Sequence, residues 1–464
     1  MQAIHIGSRT EPFWDYYLAD RTKTTARLSV HPLKKEETVF EHKNPMGREI
    51  HFPVIFKDGD IYRMYYGTGF RRKHPVTGKF DESKLVTCYA ESRDGLHWEF
   101  PNLGIYGENN CVLMDERSSR VGMCVFKDEN PECPPDRRYK GILRVSTGGK
   151  TFLEDGALAY YFSADGLHFT RGDDILQEKG KFDSLNTVFW DSLDGEYKLY
   201  YRDFDEEGFR IIKLLTSPDF VHWTKQGALD FDDPEKAALY TNNISRYCGA
   251  PHIFIGMPVR YTERSKEWIP SFDTMPDADS RRWRLSMHPR YAFALTDALF
   301  MLSRDGLHWH KFNEAIADGG IEEPRTWKYG DAYFSYGCVE DETTLSFYAA
   351  DSTWDGDYTG LCRYSVRRDG FASFSSGWDE SVIVTKPFIF DGGKFSLNFR
   401  TSAAGYIRIR LSDADGNTND SCEIFGNSVC REIAFEKSLA AFAGRPITME
   451  IRLRDAEVFS FRFG

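Results

Sequence analysis

Short runs of alternating apolar and polar residues, bounded by Gly, Asp, Asn and Ser, recur along most of the chain. Pro53-Val-Ile-Phe-Lys-Asp58-Gly59-Asp-Ile-Tyr62-Arg-Met-Tyr65-Tyr66 reads as strand, tight turn, strand. Val188-Phe-Trp190-Asp-Ser-Leu-Asp194-Gly195-Glu-Tyr197-Lys-Leu-Tyr200-Tyr201 repeats the pattern. A period of two places alternate side chains on opposite faces of a sheet, and Asp-Gly between such runs is a hairpin signal. No helical period of useful length appears, so the pattern predicts an all-β protein.

A repeat organises these strands. Ser92-Arg-Asp94-Gly95-Leu-His97-Trp98 returns as Ser163-Ala-Asp165-Gly166-Leu-His168-Phe169, as Ser217-Pro-Asp219-Phe-Val-His222-Trp223 and as Ser303-Arg-Asp305-Gly306-Leu-His308-Trp309. Arg368-Asp369-Gly370-Phe371 is a worn fifth copy. The Asp positions lie 71, 54, 86 and 64 residues apart, which describes one unit with loops of unequal length. Ser and Asp side chains bond nearby backbone N–H groups and Gly supplies a positive φ, so the motif is a turn. Its aspartates read as scaffold, and its closing aromatic is expected to pack between neighbouring sheets. A hairpin, a third strand running into the turn and a fourth strand after it make a propeller blade. The prediction is a five-bladed β-propeller over residues 1–375, with blades centred near 50–100, 120–175, 183–230, 248–312 and 327–375. From residue 376 to 464 a new set of short alternating strands, including Ile407-Arg-Ile-Arg-Leu411 and Val458-Phe-Ser-Phe-Arg-Phe463, predicts a β-sandwich.

Composition narrows the functions open to this fold. The formal net charge is −12, with no basic block, which argues against nucleic acid and anionic membrane surfaces as partners. Aromatic residues make up 15 % of the chain, a share that suits pleated strands and also suits stacking on sugar rings. The nine cysteines are scattered without metal-binding spacing, so reduced thiols and no metal or cofactor are expected; a Cys422–Cys430 disulfide is compatible with the spacing. The start lacks the charged and apolar regions of a signal peptide and no apolar run has the length of a membrane span. The expectation is a cytoplasmic chain, or a secreted or periplasmic one had a leader been removed.

The first residues of a propeller's inner strands crowd one mouth of the central channel. Those segments are Arg48-Glu49-Ile-His51, the stretch near Arg120 with Asp128 beyond it, Phe182-Asp183-Ser184-Leu-Asn186, Tyr240-Thr-Asn242-Asn243 followed by Ala250-Pro251-His252, and Glu322-Glu323-Pro-Arg325-Thr-Trp327. They offer carboxylates from three blades: Glu49, Asp183, and Glu322 or Glu323. Cleaving a glycosidic bond needs one protonated carboxyl group and one ionised one. Asp183, Glu49 and Glu323 are therefore the catalytic candidates. His51, Asn186, Arg202, Tyr240, Asn242, His252, Arg260 and Trp327 are candidates for holding the substrate. The scaffold alternative for each is a loop carboxylate bonded to a backbone amide, or a histidine held by structural hydrogen bonds.

The five-unit pattern, the Ser-x-Asp-Gly-x-x-Trp turns and the aromatic strand ends resemble those of the five-bladed propeller glycosidases, the invertase-like and arabinan-degrading superfamily. The likeness is nearest to a bacterial invertase-like group with an appended sandwich, through Phe182-Asp183-Ser184-Leu-Asn186-Thr-Val-Phe189-Trp190-Asp191, Ala250-Pro251-His252-Ile-Phe-Ile-Gly256-Met-Pro258-Val-Arg260-Tyr261 and Leu299-Phe-Met301-Leu-Ser303. The resemblance implies a glycoside hydrolase acting on an oligosaccharide or glycoside. It also leaves a departure: where such enzymes carry an Asp-Pro in the first blade, this chain reads Glu49-Ile-His51-Phe52-Pro53. The alternatives are a carbohydrate-binding propeller without catalysis, and a glycoside phosphorylase using Arg260, His252 and Arg264 to hold phosphate.

Overall fold

The computed structural model describes residues 3–464 except 42–49, 70, 74–79, 83–85, 118–121, 149–155, 177–179, 265–266, 268–272, 277, 322–325 and 352–359. Five antiparallel sheets follow one another along the chain, each built as a meander. The first holds His51–Asp58, Ile61–Thr68, Val86–Ser92 and Cys111–Leu113, and the second Cys124–Lys127, Tyr139–Val145, Ala157–Ser163 and Thr170–Ile175. The third holds Thr187–Asp191, Glu196–Phe204, Arg210–Ser217 and Thr224–Ala228. The fourth runs Ser245–Tyr247, Ala250–Gly256, Met301–Ser303 and His308–Lys311, with Asp230–Phe231 added parallel at its outer edge. The fifth, Val339–Glu340, Thr344–Asp351 and Gly360–Arg367, is completed by Lys34–Glu41 from the other end of the chain.

Contacts between sheets arrange them as a ring. On the second strand of a sheet, a tyrosine hydroxyl reaches the glycine carbonyl of the repeated turn in the next sheet. Tyr65 donates to Gly166 (2.8 Å), Tyr200 to Gly306 (3.1 Å) and Tyr348 to Gly95 (2.7 Å). The last contact joins the fifth sheet to the first. The repeated turn itself is built as expected. In the first copy the Ser92 hydroxyl accepts the Gly95 N–H (2.9 Å), and Asp94 Oδ1 accepts those of Leu96 and His97 (2.8 and 2.9 Å). Each histidine ring returns to its aspartate at 2.7–2.8 Å. Glycines 95, 166 and 306 have φ of 75–80°. The third copy puts Phe220 there at φ 70°, a conformation that costs a bulky residue. The ring of Phe220 offsets this by packing on Tyr197, Tyr160 and Phe126 at 5.2, 5.3 and 5.8 Å.

The fifth copy has changed its job. Asp369 is buried, and its carboxylate accepts from the hydroxyls of Tyr247 (2.6 Å) and Ser460 (2.6 Å), while its carbonyl accepts from the Trp14 indole (2.9 Å). It thus ties the ring to the C-terminal sandwich. There the long strands Phe395–Asp413 and Ile447–Phe463 pair antiparallel over a core that includes Phe388, Phe390, Phe395, Phe399, Phe461 and Phe463. The protein is a β-propeller with a β-sandwich.

Two expectations need amendment. The division at residue 375 is not a clean cut, because Ile4–Gly7, Thr10–Pro12 and Arg27–Val30 pair within the sandwich sheet, as does Ala372–Ser376. The chain also has helices, Ala278–Met287 and Pro289–Phe293. They fill the insertion between Val259–Glu263 and Ala294–Ala298, which explains the widest repeat spacing. The longer helix, ADSRRWRLSM, carries no apolar stripe and gave no period to detect. All nine cysteines are free, Cys422 and Cys430 included. No helix among the described residues is long and apolar enough to cross a membrane.

Candidate active site at the mouth of the ring

In an antiparallel meander the inner strand begins, the second strand ends and the third begins on the same side. In the third sheet this brings together residues 180–186, Arg202 to Phe204, and Arg210, which faces Phe204 in the strand register. Asp183 lies just ahead of Thr187–Asp191 and forms an ion pair with Arg202. Arg202 is only 1 % exposed, and its Nε and Nη2 both donate to the Lys181 carbonyl (3.2 Å each). Burial draws the Arg202 pKa down to about 10, with Tyr240 opposing the drop and Arg210 adding to it. Beside Asp183, the buried Ser184 Oγ and Asn186 Oδ1 have no hydrogen-bond partner among the described residues. Unmatched buried polar atoms are uncommon, and here two of them adjoin one ion pair.

Aromatic rings surround this pair. Tyr240 and Tyr333 stack at 5.5 Å with 6° between planes, and Phe52 stacks on Tyr333 at 5.6 Å. Tyr329 stands edge-on to Tyr240 (6.1 Å) and Tyr261 (5.9 Å) and stacks on Tyr291 (5.8 Å). Burial and the Glu263 carboxylate, which accepts from its hydroxyl, push Tyr261 up to about 12. The guanidinium of Arg202 lies 5.1 Å from both Tyr240 and Phe204. Helix Ala278–Met287 secures the loop that presents Tyr329: Arg281 donates to the Trp327 and Thr326 carbonyls (3.0 and 2.9 Å) and Arg284 to that of Tyr329 (3.2 Å). Phe52 and Trp327 hold positive φ of 47° and 56° at this mouth. Such strain persists only where the surroundings enforce it.

The sequence candidates divide. Asp183, Arg202 and Tyr240 meet here. His51 opens the first sheet's inner strand, next to Phe52 and opposite Gly67. Trp327 is partly exposed and donates to the Gly320 carbonyl (2.9 Å). Glu49 and Glu323, together with Glu322 and Arg120, lie outside the described residues. Asn186 donates to the Phe182 and Ser184 carbonyls (3.2 and 2.9 Å), shaping the turn that carries Asp183. Asn242 is fully engaged in the scaffold, accepting from Thr187 Oγ1 (2.6 Å) and donating to the Tyr200 carbonyl (3.2 Å). Two candidates are corrected. His252 sits on a second strand, near its start, and so points to the opposite end of the ring, 3.4 Å from Glu11 of the N-terminal strand bound to the sandwich. Arg260 turns away from the aromatic cluster to Asp297 (2.5 Å) and the Asn313 carbonyl (3.0 Å), while its neighbour Tyr261 turns in. Asp128, noted beyond the first strand of the second blade, is buried glue: it accepts from Lys140 and from Tyr197 (2.7 Å), joining the second sheet to the third.

Tyr291, Tyr329, Tyr333 and Arg210 went unnoticed in the sequence. Arg210 had a usable signal, since the start of a third strand returns to the mouth. The tyrosines had none, because they come from an insertion and a loop. At the other end of the ring, Cys248, Cys338 and Glu340 bring three potential metal-ligating atoms within 4.8 Å of one another, beside a cavity of about 350 Å³. Arg368 already meets the Glu340 carboxylate there at 3.3 Å.

No family model matches the chain. An uncharacterized protein of Mycobacterium tuberculosis (strain CDC 1551 / Oshkosh) is 33 % identical over 82 residues, 16 % of this chain and 26 % of that protein, so the chain spans about a quarter of the curated relative it matches. Among solved structures, the GH32 β-fructofuranosidase of Bombyx mori aligns with a TM-score of 0.45 at 9 % identity, covering 94 % of both chains. The sucrose-6-phosphate hydrolase from Lactobacillus gasseri aligns at 0.42 and 11 %, again over 94 % of both. The exo-β-1,3-galactanase from Phanerochaete chrysosporium, solved with galactose, aligns at 0.41 and 8 %, over 92 % of this chain and 100 % of that one. The propeller-and-sandwich architecture stands on the sheet order and the ring-closing contacts themselves.

Proposed function

We propose that the protein is a glycoside hydrolase of the invertase-like, five-bladed kind, akin to the bacterial group with an appended sandwich, and that it cleaves its substrate at the mouth where Asp183 meets Arg202. The observation that carries this reading is the position of Asp183: a half-buried carboxylate against a guanidinium, ringed by stacked aromatic faces, beside two buried polar atoms with no partner among the described residues. A neighbouring cation favours the carboxylate form, which suits the group that attacks the anomeric carbon or activates water. Glu49 and Glu323 are the proposed sources of the proton for the leaving oxygen. Tyr240, Tyr333 and Trp327 offer faces for a sugar ring, and His51 a polar contact. Nine free thiols fit a reducing compartment.

A screen of aryl glycosides and oligosaccharides with the full chain tests the reading. Activity that falls about 10³-fold in Asp183→Asn supports it, and activity that survives this change refutes it. The engagement of Asp183 by Arg202, together with the absent Asp-Pro of the first blade, favours a second reading, a carbohydrate-binding propeller without turnover. Sugar binding with no hydrolysis across the screen would decide for it. The phosphorylase reading finds no support, since Arg260 and His252 are engaged elsewhere.

A further inference from the structure

Most buried or half-buried arginines of this ring have a carboxylate partner. Arg246 pairs with Asp191, Arg260 with Asp297, Arg304 with Asp15 and Arg363 with Glu37. Arg210 does not. Its guanidinium lies 4.1 Å from the Tyr261 ring centroid and 5.6 Å from those of both Tyr240 and Phe204. Its Nε is buried without a hydrogen bond, and no carboxylate or carbonyl meets its side chain among the described residues. Arg290 is similar: it sits over Tyr291 (5.4 Å) and Tyr329 (5.9 Å) with no ion pair among the described residues. Arg202 shares the Tyr240 and Phe204 rings with Arg210 and has Asp183 as its one acid partner among the described residues.

Among the described residues, three guanidinium groups thus crowd one mouth, against Asp183 and Glu263, the latter already bonded to Tyr261. This happens in a chain whose overall charge is −12. Sequestering a cation without a partner costs free energy, and clustering like charges costs more. A scaffold gains nothing from that arrangement. A site for an anion does, because a planar guanidinium offers two parallel N–H donors to a carboxylate, sulfate or phosphate and keeps its faces free for aromatic rings.

We propose that the substrate is an anionic glycan, and that Arg210 is the residue that receives its acidic substituent, with a uronic acid carboxylate as the expected group. This rests on the reading of the mouth as a carbohydrate site. The negative group would lie over the Tyr240–Tyr261 edge, with the neighbouring sugar within reach of Asp183. Arg290 would serve as a second contact on the far side of Tyr261.

Binding of the full-length protein to an array of neutral, uronate-containing, sulfated and phosphorylated glycans tests this, followed by titration of the best ligand and its neutral counterpart. The expected result is preference for an acidic glycan, weakening as salt is raised. Arg210→Gln is expected to reduce the acidic-to-neutral affinity ratio about tenfold or more, and Arg210→Lys, which keeps the charge without the fork, less. The uronate, sulfate and phosphate arms identify the anion. Equal binding of acidic and neutral glycans by the wild type, or an unchanged ratio in both variants with native melting temperatures, overturns the proposal. Asp183→Asn separates this inference from the catalytic one: if it still cleaves, the assignment of Asp183 fails, while the acidic preference stands or falls by the Arg210 variants.

Discussion

Two clusters of buried charge touch the third sheet, one from the neighbouring second sheet and one at its own mouth end, and they are built on opposite principles. Where the second and third sheets meet, Asp128 accepts from Lys140, from Tyr197 (2.7 Å) and from the Asn130 N–H (3.0 Å), and Lys140 also bonds Tyr197 (2.8 Å). The two charges there are paired with each other, and both bond the Tyr197 hydroxyl. At the mouth, the third sheet presents Asp183, Arg202 and Arg210, and among the described residues Arg210 meets no carboxylate and polar atoms of Ser184 and Asn186 go unmatched. Burial alone therefore does not tell glue from site. On the proposed reading the completeness of the hydrogen bonding does, because a satisfied network has no affinity left to offer a ligand.

The first way to break this contrast is to exchange the consequences. Asp183→Asn is expected to lower kcat/KM about 10³-fold while the fold persists, since Arg202 keeps the Lys181 carbonyl; steady-state kinetics beside thermal melting checks both halves. Asp128→Ala is expected to do the reverse, costing about 3–5 kcal/mol by leaving Lys140 buried without its partner, as read by denaturant titration. If Asp128→Ala melted like the wild type, the distinction would collapse. Phe220→Ala sharpens the glue side: the loss of a ring packed on five aromatics outweighs the relief of a strained φ, for a net cost of about 3 kcal/mol. Tyr348→Phe removes only the hydroxyl that closes the ring onto Gly95 and is expected to cost about 1 kcal/mol.

The smallest effect concerns the exposed turns. Partial burial tends to raise the Asp305 pKa, but the N–H groups of His308 and Leu307 and the His308 ring hold it at about 2, below its ordinary 3.8. A depressed acid stabilises the fold above its unfolded pKa and loses that contribution as pH falls through the folded value. Stability should therefore decline between about pH 4 and pH 2, and Asp305→Asn should flatten that limb of the curve. His97 and His308 are raised by Asp94 and Asp305, so their contribution is present below the ordinary histidine value of 6.5 and fades as pH rises above it. The turn variants should leave glycan binding untouched, since these turns are spaced around the ring rather than at the mouth.

Read without coordinates, the chain already declares its strands, its turns and its repeat. Period-two alternation and Ser-x-Asp-Gly chemistry act between residues a few positions apart, so they survive in one dimension. The place of Asp183 was legible for the same reason: it immediately precedes an inner strand. The helix Ala278–Met287 was not, because its stability comes from arginines bonded to loop carbonyls rather than from an apolar stripe of its own. His252 and Arg260 were misplaced by one step of geometry each, the first by strand direction and the second by strand face. Long-range closure decided the rest. Lys34–Glu41 completes a sheet more than 300 residues away, Asp369 became a dock for the sandwich, and Tyr240, Tyr329 and Tyr333 meet only because the ring closes. Such contacts depend on how complete sheets pack against one another, and that packing leaves no local mark in the order of residues.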